Sequence, residues 1–525
     1  MLSPSKEKIK FGWDYWDYSH QSEVRDKIIK NFGGLTPDYT WQNDSDTLPL
    51  DDMKHQVTNA WHNVYPIFYN HKQNEYAVED KDTKDYVNSN ESFMYVISTN
   101  GGPAVWCGEF DKRSTLFYNI KEHTKEHIRK GKVLVVVDLS FEGFAIDGLD
   151  PYTQKEMGPN PHLVETAHRR AKEENFPIEN IVFLSGNHKD PEYYDWWCKE
   201  NKIEKRLNWI LLDWCEKAIS SDFSDIGETF ESHLKYKSDN FEDMKTYLCL
   251  MRRCKLSRIY HHLALNYYDL LQDGLVSAVL SKWDLYNLFP NIDRTSLEMN
   301  NANEITNSDC AGEDDLQFNK DLVKKNDLLN IVVQEYKGKL KPDVIGLGLS
   351  KDTFKIRASQ NIKSFIRKLP MVVDTHRFDM LDSFHDWDID FYKKTFFSFV
   401  YETWALSPNI VFYSEKIYKC ILNFHPFIAW ANCDTMKYLR KNDYKTFSPF
   451  IDEGYDKLKN NSTRSEYLMK EMVRICGMDK KELLKWYESQ GDILIHNYNN
   501  FMSDIRFEKS ISDLLIVYRR VVNES

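Results

Sequence analysis

Apolar residues recur along the chain as short unbroken runs: FMYVIST (93–99), KVLVVVDLS (132–140), NIVFLSGN (180–187), LNWILLD (207–213), KTYLCLM (245–251), 274–281, LPMVVDT (369–375), 396–400 and 427–430. A run that does not alternate with polar residues predicts a strand covered on both faces, as in a parallel sheet. Between these runs, apolar residues fall at helical spacing over 118–130, 161–175, 190–201, 257–271 and 435–441, and in two long C-terminal helices at 463–490 and 493–522. Strands alternating with helices predict an α/β fold on parallel sheets.

The pattern divides the chain. Residues 1–90 are polar and aromatic and read as an N-terminal extension, with helices near 22–32 and 53–65. Residues 91–225 form a first Rossmann-like domain, and the polar stretch 220–243 reads as a connection. Residues 245–460 form a second Rossmann-like domain, interrupted by an Asn-, Asp- and Ser-rich insertion at 290–345. Residues 461–525 are C-terminal helices. Two such domains in tandem are expected to face each other across a cleft. Ligands of open parallel sheets sit outside the carboxyl ends of the strands. Glu142, Arg252, Arg253, Glu402 and Lys416 all fall at such ends.

Composition narrows the classes. The 525 residues exceed one common domain, and 42% apolar content suffices for two cores. A formal net charge of −12 argues against general affinity for nucleic-acid phosphates. Aromatics make up 14%, which suits stacking on sugars or bases, although most such rings serve cores. The nine cysteines stand singly, without metal-ligand spacing, as in a reducing compartment. The N-terminal residues carry no apolar signal core, and no run approaches the ~18 residues of a membrane span. The expectation is a cytoplasmic protein without a membrane span or a metal site.

Candidate chemistry centres on 396–426, FFSFVYETWALSPNIVFYSEKIYKCILNFHP. It reads as a buried strand, a loop, and a helix that Ser414 caps and Glu415 begins. Lys416 in the first helical turn, close to the end of a buried strand, makes an anion site suited to a diphosphate. The same pattern also fits an ordinary strand–loop–helix unit with a capping Glu. Asp386-Trp387-Asp388 matches a metal-binding DxD, but reads as loop in an acidic chain. His425, before Pro426, reads as a packed turn residue.

YSEKIYKCILNFHPFI (413–428) resembles the T/S-E-K signature of fucosyltransferase-like GT-B glycosyltransferases. It resembles more closely a group of glycosyltransferases common in bacteriophage genomes. In that group the helix is followed by HPF, by LKxLRxxGFKTF and by a DExYD box. This chain has His425-Pro426-Phe427, MKYLRKNDYKTF (436–447) and DEGYD (452–456). TYLCLMRRCKLSRIYHHLAL (246–265) resembles the group's strand, Arg-rich loop and helix, and VLVVVDLSFEGF its acidic N-terminal box. The likeness covers about 245–290 and 369–457, and more weakly 92–215. Ser414 replaces Thr, Cys420 replaces a frequent Pro, and Asn442-Asp443 replaces a Gly turn.

The resemblance implies an inverting, metal-independent transferase that uses a nucleotide sugar. Its acceptor would be a glycan or a modified DNA base. Arg258, with Arg252 and Arg253 before it, would bind the diphosphate, since guanidinium groups pair bidentately with phosphate. Lys416 would contact the diphosphate or donor sugar, Ser414 would cap, and Glu415 would accept from sugar hydroxyls. Glu402 would order Lys416 or bind the donor. Glu142, with Asp138 second, would be the base. Two alternatives stand beside this: a catalytically inactive, transferase-like binding module of a virus, and a Rossmann-type sugar-nucleotide-modifying enzyme. The absence of a GxGxxG after the first strand opposes the latter.

Overall fold

The computed structural model describes residues 7–13, 76–98, 109–110, 113–114, 117, 120–140, 162–222, 227–251, 256–278, 364–365, 388–402, 405 and 409–523. Outside them lie Glu142, Arg252, Arg253, the insertion at 290–345, the run at 369–375, the helices expected near 22–32 and 53–65, and Asp386-Trp387. The chain forms two compact units. The first comprises Met1–Ala218, Leu406–Tyr413 and Asp504–Ser525, and the second Ile219–Ala405 and Ser414–Ser503. Each is a Rossmann-like α/β unit on a parallel sheet.

The first unit holds β1 (Glu7–Trp13), β2 (Tyr76–Asp82), α1 (Thr83–Asn88), β3 (Phe93–Ser98), a short β4–β5 ribbon (Glu109–Phe110, Arg113–Ser114), α2 (Glu122–Arg129), β6 (Val133–Leu139), α3 (Leu163–Glu173), β7 (Ile181–Ser185), α4 (Asp190–Glu200) and β8 (Asn208–Leu211). Its sheet runs β2-β1-β3-β6-β7-β8, all parallel. β1 and β2 thus correct the reading of 1–90 as an extension, because two of the six strands come from it. β6 is buried throughout because its residues alternate between two cores. Val133, Val135, Val137 and Leu139 face one, and Leu134 and Val136 the other.

The second core is closed by the last helix of the chain. Phe507, Ile511, Leu514, Leu515 and Tyr518 of this helix (Ile505–Asn523) pack on Ile9, Phe11, Met94, Val96, Val182 and Leu184. Fully burying such a side chain stabilises the fold by roughly 1.5–3 kcal/mol. The sequence reading grouped this helix with the other C-terminal helices, but its apolar face belongs to the first unit.

In the second unit, α5 (Trp214–Asp222), which spans the boundary, leads to α6 (Phe230–Asp239), β9 (Lys245–Met251), α7 (Leu256–Tyr267), β10 (Gly274–Ala278), α8 (Ile389–Lys393), β11 (Thr395–Tyr401), α9 (Glu415–Leu422), β12 (Phe427–Trp430), α10 (Thr435–Lys441), α11 (Asn461–Cys476), α12 (Lys480–Ser489) and α13 (Gly491–Met502). The helix Ile505–Asn523 is α14. The described strands run β10-β9-β11-β12, all parallel. The stretch expected as a connection contains α6, held by a capping box between Thr229 and Ser232. Its buried Lys237 donates to the carbonyls of Tyr392 and Lys393, at 2.7 and 3.0 Å, and to that of Thr395. One ammonium therefore satisfies the carbonyls that close α8 and open β11.

Candidate functional site

In the second sheet, β9 leads outward to β10, and β11 returns to the opposite side of β9. The chain direction thus switches between β9 and β11, where open α/β sheets leave room for a ligand beyond the strand ends. The residues that follow these two strands build the candidate site.

Arg258 lies in the first turn of α7, directly after β9. It is 4% exposed, and its guanidinium Nη2 reaches the carbonyl of Tyr401, the last residue of β11, at 3.5 Å. His262, one turn on, donates from Nδ1 to the Arg258 carbonyl at 3.1 Å, and its ring nitrogen lies 3.2 Å from the Tyr401 hydroxyl. These contacts knit α7 to the end of β11. The helix begins at Leu256, so Ser257 sits inside the first turn and is not its cap, and it ends at Tyr267, short of the expected 271.

Glu402 follows β11. Its amide donates to the Trp430 carbonyl, continuing the ladder with β12, and its carboxylate turns back to α9. Both oxygens accept from the Ser414 amide at 3.2 Å. Ser414 Oγ in turn accepts from the Lys416 amide at 3.4 Å and from Lys416 Nζ at 3.0 Å. Lys416 Nζ also pairs with Glu415 Oε1 at 2.6 Å. α9 begins at Glu415 with Ser414 as its cap, as the sequence predicts.

The charges follow from this packing. Burial pushes the Glu402 carboxyl above the usual range, and the Lys416 charge and the Ser414 hydrogen bonds offset part of that rise. Burial also pushes Glu415 upward, but Lys416 and then Lys419 outweigh it and hold its pKa at about 2. Glu415 is thus an anion tied to Lys416, whose side chain keeps 28% of its surface exposed. The result is a helix N-terminus with a partly exposed ammonium in its first turn and a buried guanidinium at the end of the neighbouring strand. That arrangement can hold a doubly charged oxyanion.

The remaining family-like motifs are structural. His425 is fully buried, with Nδ1 2.8 Å from Ser398 Oγ and Nε2 3.0 Å from the Thr395 carbonyl. In the DEGYD box, Asp452 caps a short 3-10 turn, and Glu453 accepts from Arg440, Thr446 and the Phe447 amide. Asp456 accepts from the amides of Met436 and Lys437 at the start of α10. Asp443, where the resembled group has Gly, adopts φ 63°, a left-handed conformation that Asp tolerates better than most residues.

In the first unit, the strand ends carry a second polar cluster. Asp138, the penultimate residue of β6, is 4% exposed and accepts from the Ser140 amide at 3.0 Å and hydroxyl at 2.6 Å. After β7, His188 Nε2 lies 3.3 Å from Asp213 Oδ2, and its ring packs at a tilt of 39° against Tyr413, centroids 4.4 Å apart. Sequence reasoning passed over His188 and Asp213. The available signal was that His188 follows β7 and Asp213 follows β8 within three residues of the strand end. Of the expected site residues, the structure thus brings together Arg258, Glu402, Ser414, Glu415 and Lys416, and sets Asp138 at the other sheet.

No family model matches the chain, and no curated protein matches it. Among solved structures, an α,α-trehalose-phosphate synthase (UDP-forming) from Burkholderia vietnamiensis is 11% identical with a TM-score of 0.36, covering 97% of this chain and 100% of its own. The N-terminal domain of trehalose-6-phosphate phosphatase from Candida albicans is 9% identical with a TM-score of 0.34, covering 98% of each. Likenesses this distant carry no argument about chemistry, which rests on the residues above.

Proposed function

We propose that the chain is a nucleotide-sugar-dependent glycosyltransferase of the GT-B kind, with its donor diphosphate held at the switch point of the second sheet. The observation that carries this reading is the convergence of Arg258, Glu402 and the Ser414–Lys416 helix start at the carboxyl ends of β9 and β11. In the reaction, an acceptor hydroxyl attacks the anomeric carbon as the bond from that carbon to the diphosphate oxygen breaks. The leaving diphosphate gains negative charge, which Arg258, Lys416 and the α9 N-terminus stabilise. Arg252 and Arg253, which follow β9 in the sequence, are proposed as further donor-binding residues. Glu402 fixes the Ser414 cap, and Glu415 keeps Lys416 oriented and accepts from donor hydroxyls.

The acceptor proton passes to a carboxylate of the first unit, Glu142 or Asp138. Transfer proceeds with inversion and without a metal, onto a glycan or a modified base. Calorimetry with UDP, GDP and their sugar conjugates tests the donor half, because a ligand that binds the folded state also raises its melting temperature. Binding that Lys416→Ala abolishes supports the reading. No binding of any nucleoside diphosphate, or equal binding by that variant, overturns it.

A further inference from the structure

Arg464, in the first turn of α11, is 2% exposed. Its guanidinium donates from Nη1 to the Leu458 carbonyl at 2.8 Å, and from Nη2 to the Ala405 carbonyl and to Asn461 Oδ1, both at 2.6 Å. All three acceptors are neutral. Burial pulls the Arg464 pKa down to about 10, which leaves the group charged at neutral pH. Burying a cation among neutral acceptors costs stability that an apolar side chain of similar volume does not. The cost calls for something that the guanidinium does and an apolar chain cannot.

The positions of its partners supply that role. Ala405 lies three residues beyond Glu402, on the chain leaving β11. The guanidinium carbon also stands 4.9 Å from the centre of the Trp430 ring, and the Trp430 carbonyl accepts from the Glu402 amide at 3.0 Å. Glu402 is therefore flanked on both sides by residues that Arg464 touches. The next residue of α11 reaches the other wall of the site. Ser465 Oγ lies 2.8 Å from Nε2 of His261, which follows Arg258 by three residues on α7. The His261 ring packs 4.5 Å from that of Trp430. All of these residues belong to the second unit.

We infer that Arg464 is a positioning residue for the proposed donor site. By gripping Ala405 and Trp430 it fixes where Glu402 presents its carboxylate to the Ser414 amide, and so where α9 and Lys416 begin. The ligand part rests on the glycosyltransferase reading, whereas the mechanical part does not.

The test compares Arg464→Met with Arg474→Met. The second variant removes another guanidinium of α11, which donates to the Phe450 carbonyl at 2.6 Å and pairs with Glu471. Hydrogen exchange at residues 414–416 is read against that of the β9 amides in the same protein, and UDP and GDP affinities are measured on the full chain. Arg464→Met is expected to speed exchange at 414–416 about tenfold more than in β9 and to weaken nucleotide binding about tenfold, and Arg474→Met to do neither. Exchange that rises equally in β9 and at 414–416 marks a merely structural residue and overturns the inference, as does nucleotide affinity unchanged in Arg464→Met. If the wild type binds neither nucleotide, the glycosyltransferase reading falls and the exchange result still decides the mechanical part. Should Arg464→Met not fold, Arg464→Lys, which keeps the charge but not the fork, carries the same comparison.

Discussion

Glu402 and Ser414 are joined by two hydrogen bonds from a single amide, each of 3.2 Å, across a loop that leaves the second unit and returns. Burial raises the Glu402 pKa. A carboxyl whose folded pKa lies above its unfolded value contributes stability at low pH, and that contribution is lost as pH rises through the folded pKa. Glu402→Gln lacks this titration. It is expected to gain stability relative to wild type as pH rises above the ordinary carboxylate range, measured by urea unfolding at a series of pH values. Glu402→Ala leaves the Ser414 amide without its acceptor and is expected to cost about 1–3 kcal/mol.

Lys416→Ala removes the cation that, against burial, holds the Glu415 pKa at about 2 and offsets the burial of Glu402, so it is expected to cost about 1–3 kcal/mol of stability. Affinity for nucleoside diphosphates is expected to fall at least about tenfold, as for loss of a charged hydrogen bond of roughly 1.5–3 kcal/mol. Calorimetry with thermal melts separates the two effects. Arg258→Lys keeps the charge but loses the planar fork, and is expected to weaken binding as well.

The helical start that forms this site was legible in the sequence because its signals are local: Ser414 ahead of Glu415-Lys416, then Ile417, Cys420 and Ile421 at helical spacing. β6 and β11 were legible because their apolar residues run nearly unbroken, interrupted by Asp138 in β6 and by Ser398 in β11. α6 was not, since its inward residues are Phe230, His233 and Lys237, and two of these are polar types that hydrophobic periodicity cannot register. β1 was obscured by Lys8 and Lys10 alternating with Ile9 and Phe11 in a polar, aromatic stretch. The placement of 409–411 with the first unit depends on hydrogen bonds between Asn187 and the backbone of Asn409 and Val411, more than two hundred residues later, and no local pattern carries it.

Asp456 gives a second pH signature. Burial lifts its pKa from 3.8 to about 6, despite the two amides of α10 that it accepts from. The folded state therefore holds this proton more tightly than the unfolded one. The associated stability is present below about pH 4 and lost as pH rises through about 6. Two pKa units correspond to about 3 kcal/mol. Wild type is expected to lose on that order relative to Asp456→Asn between those pH values, read from denaturant midpoints.

The catalytic half has its own test. Glu142→Gln is expected to slow sugar transfer while leaving nucleoside-diphosphate affinity unchanged, and turnover at the wild-type rate would remove it as the base. Transfer is expected to survive EDTA. Inhibition that added divalent cation reverses would contradict metal-independent chemistry.

The seat of α14 has a consequence for biosynthesis. The ribosome makes β1 through β8 long before it reaches Phe507, Ile511, Leu514 and Leu515, which cover Ile9, Phe11, Met94 and Val182. Through the synthesis of the whole second unit, one face of the first sheet lacks its cover. A nascent or truncated chain ending before residue 504 presents that face as an adhesive surface, so truncation after β8 is expected to make the first unit aggregate.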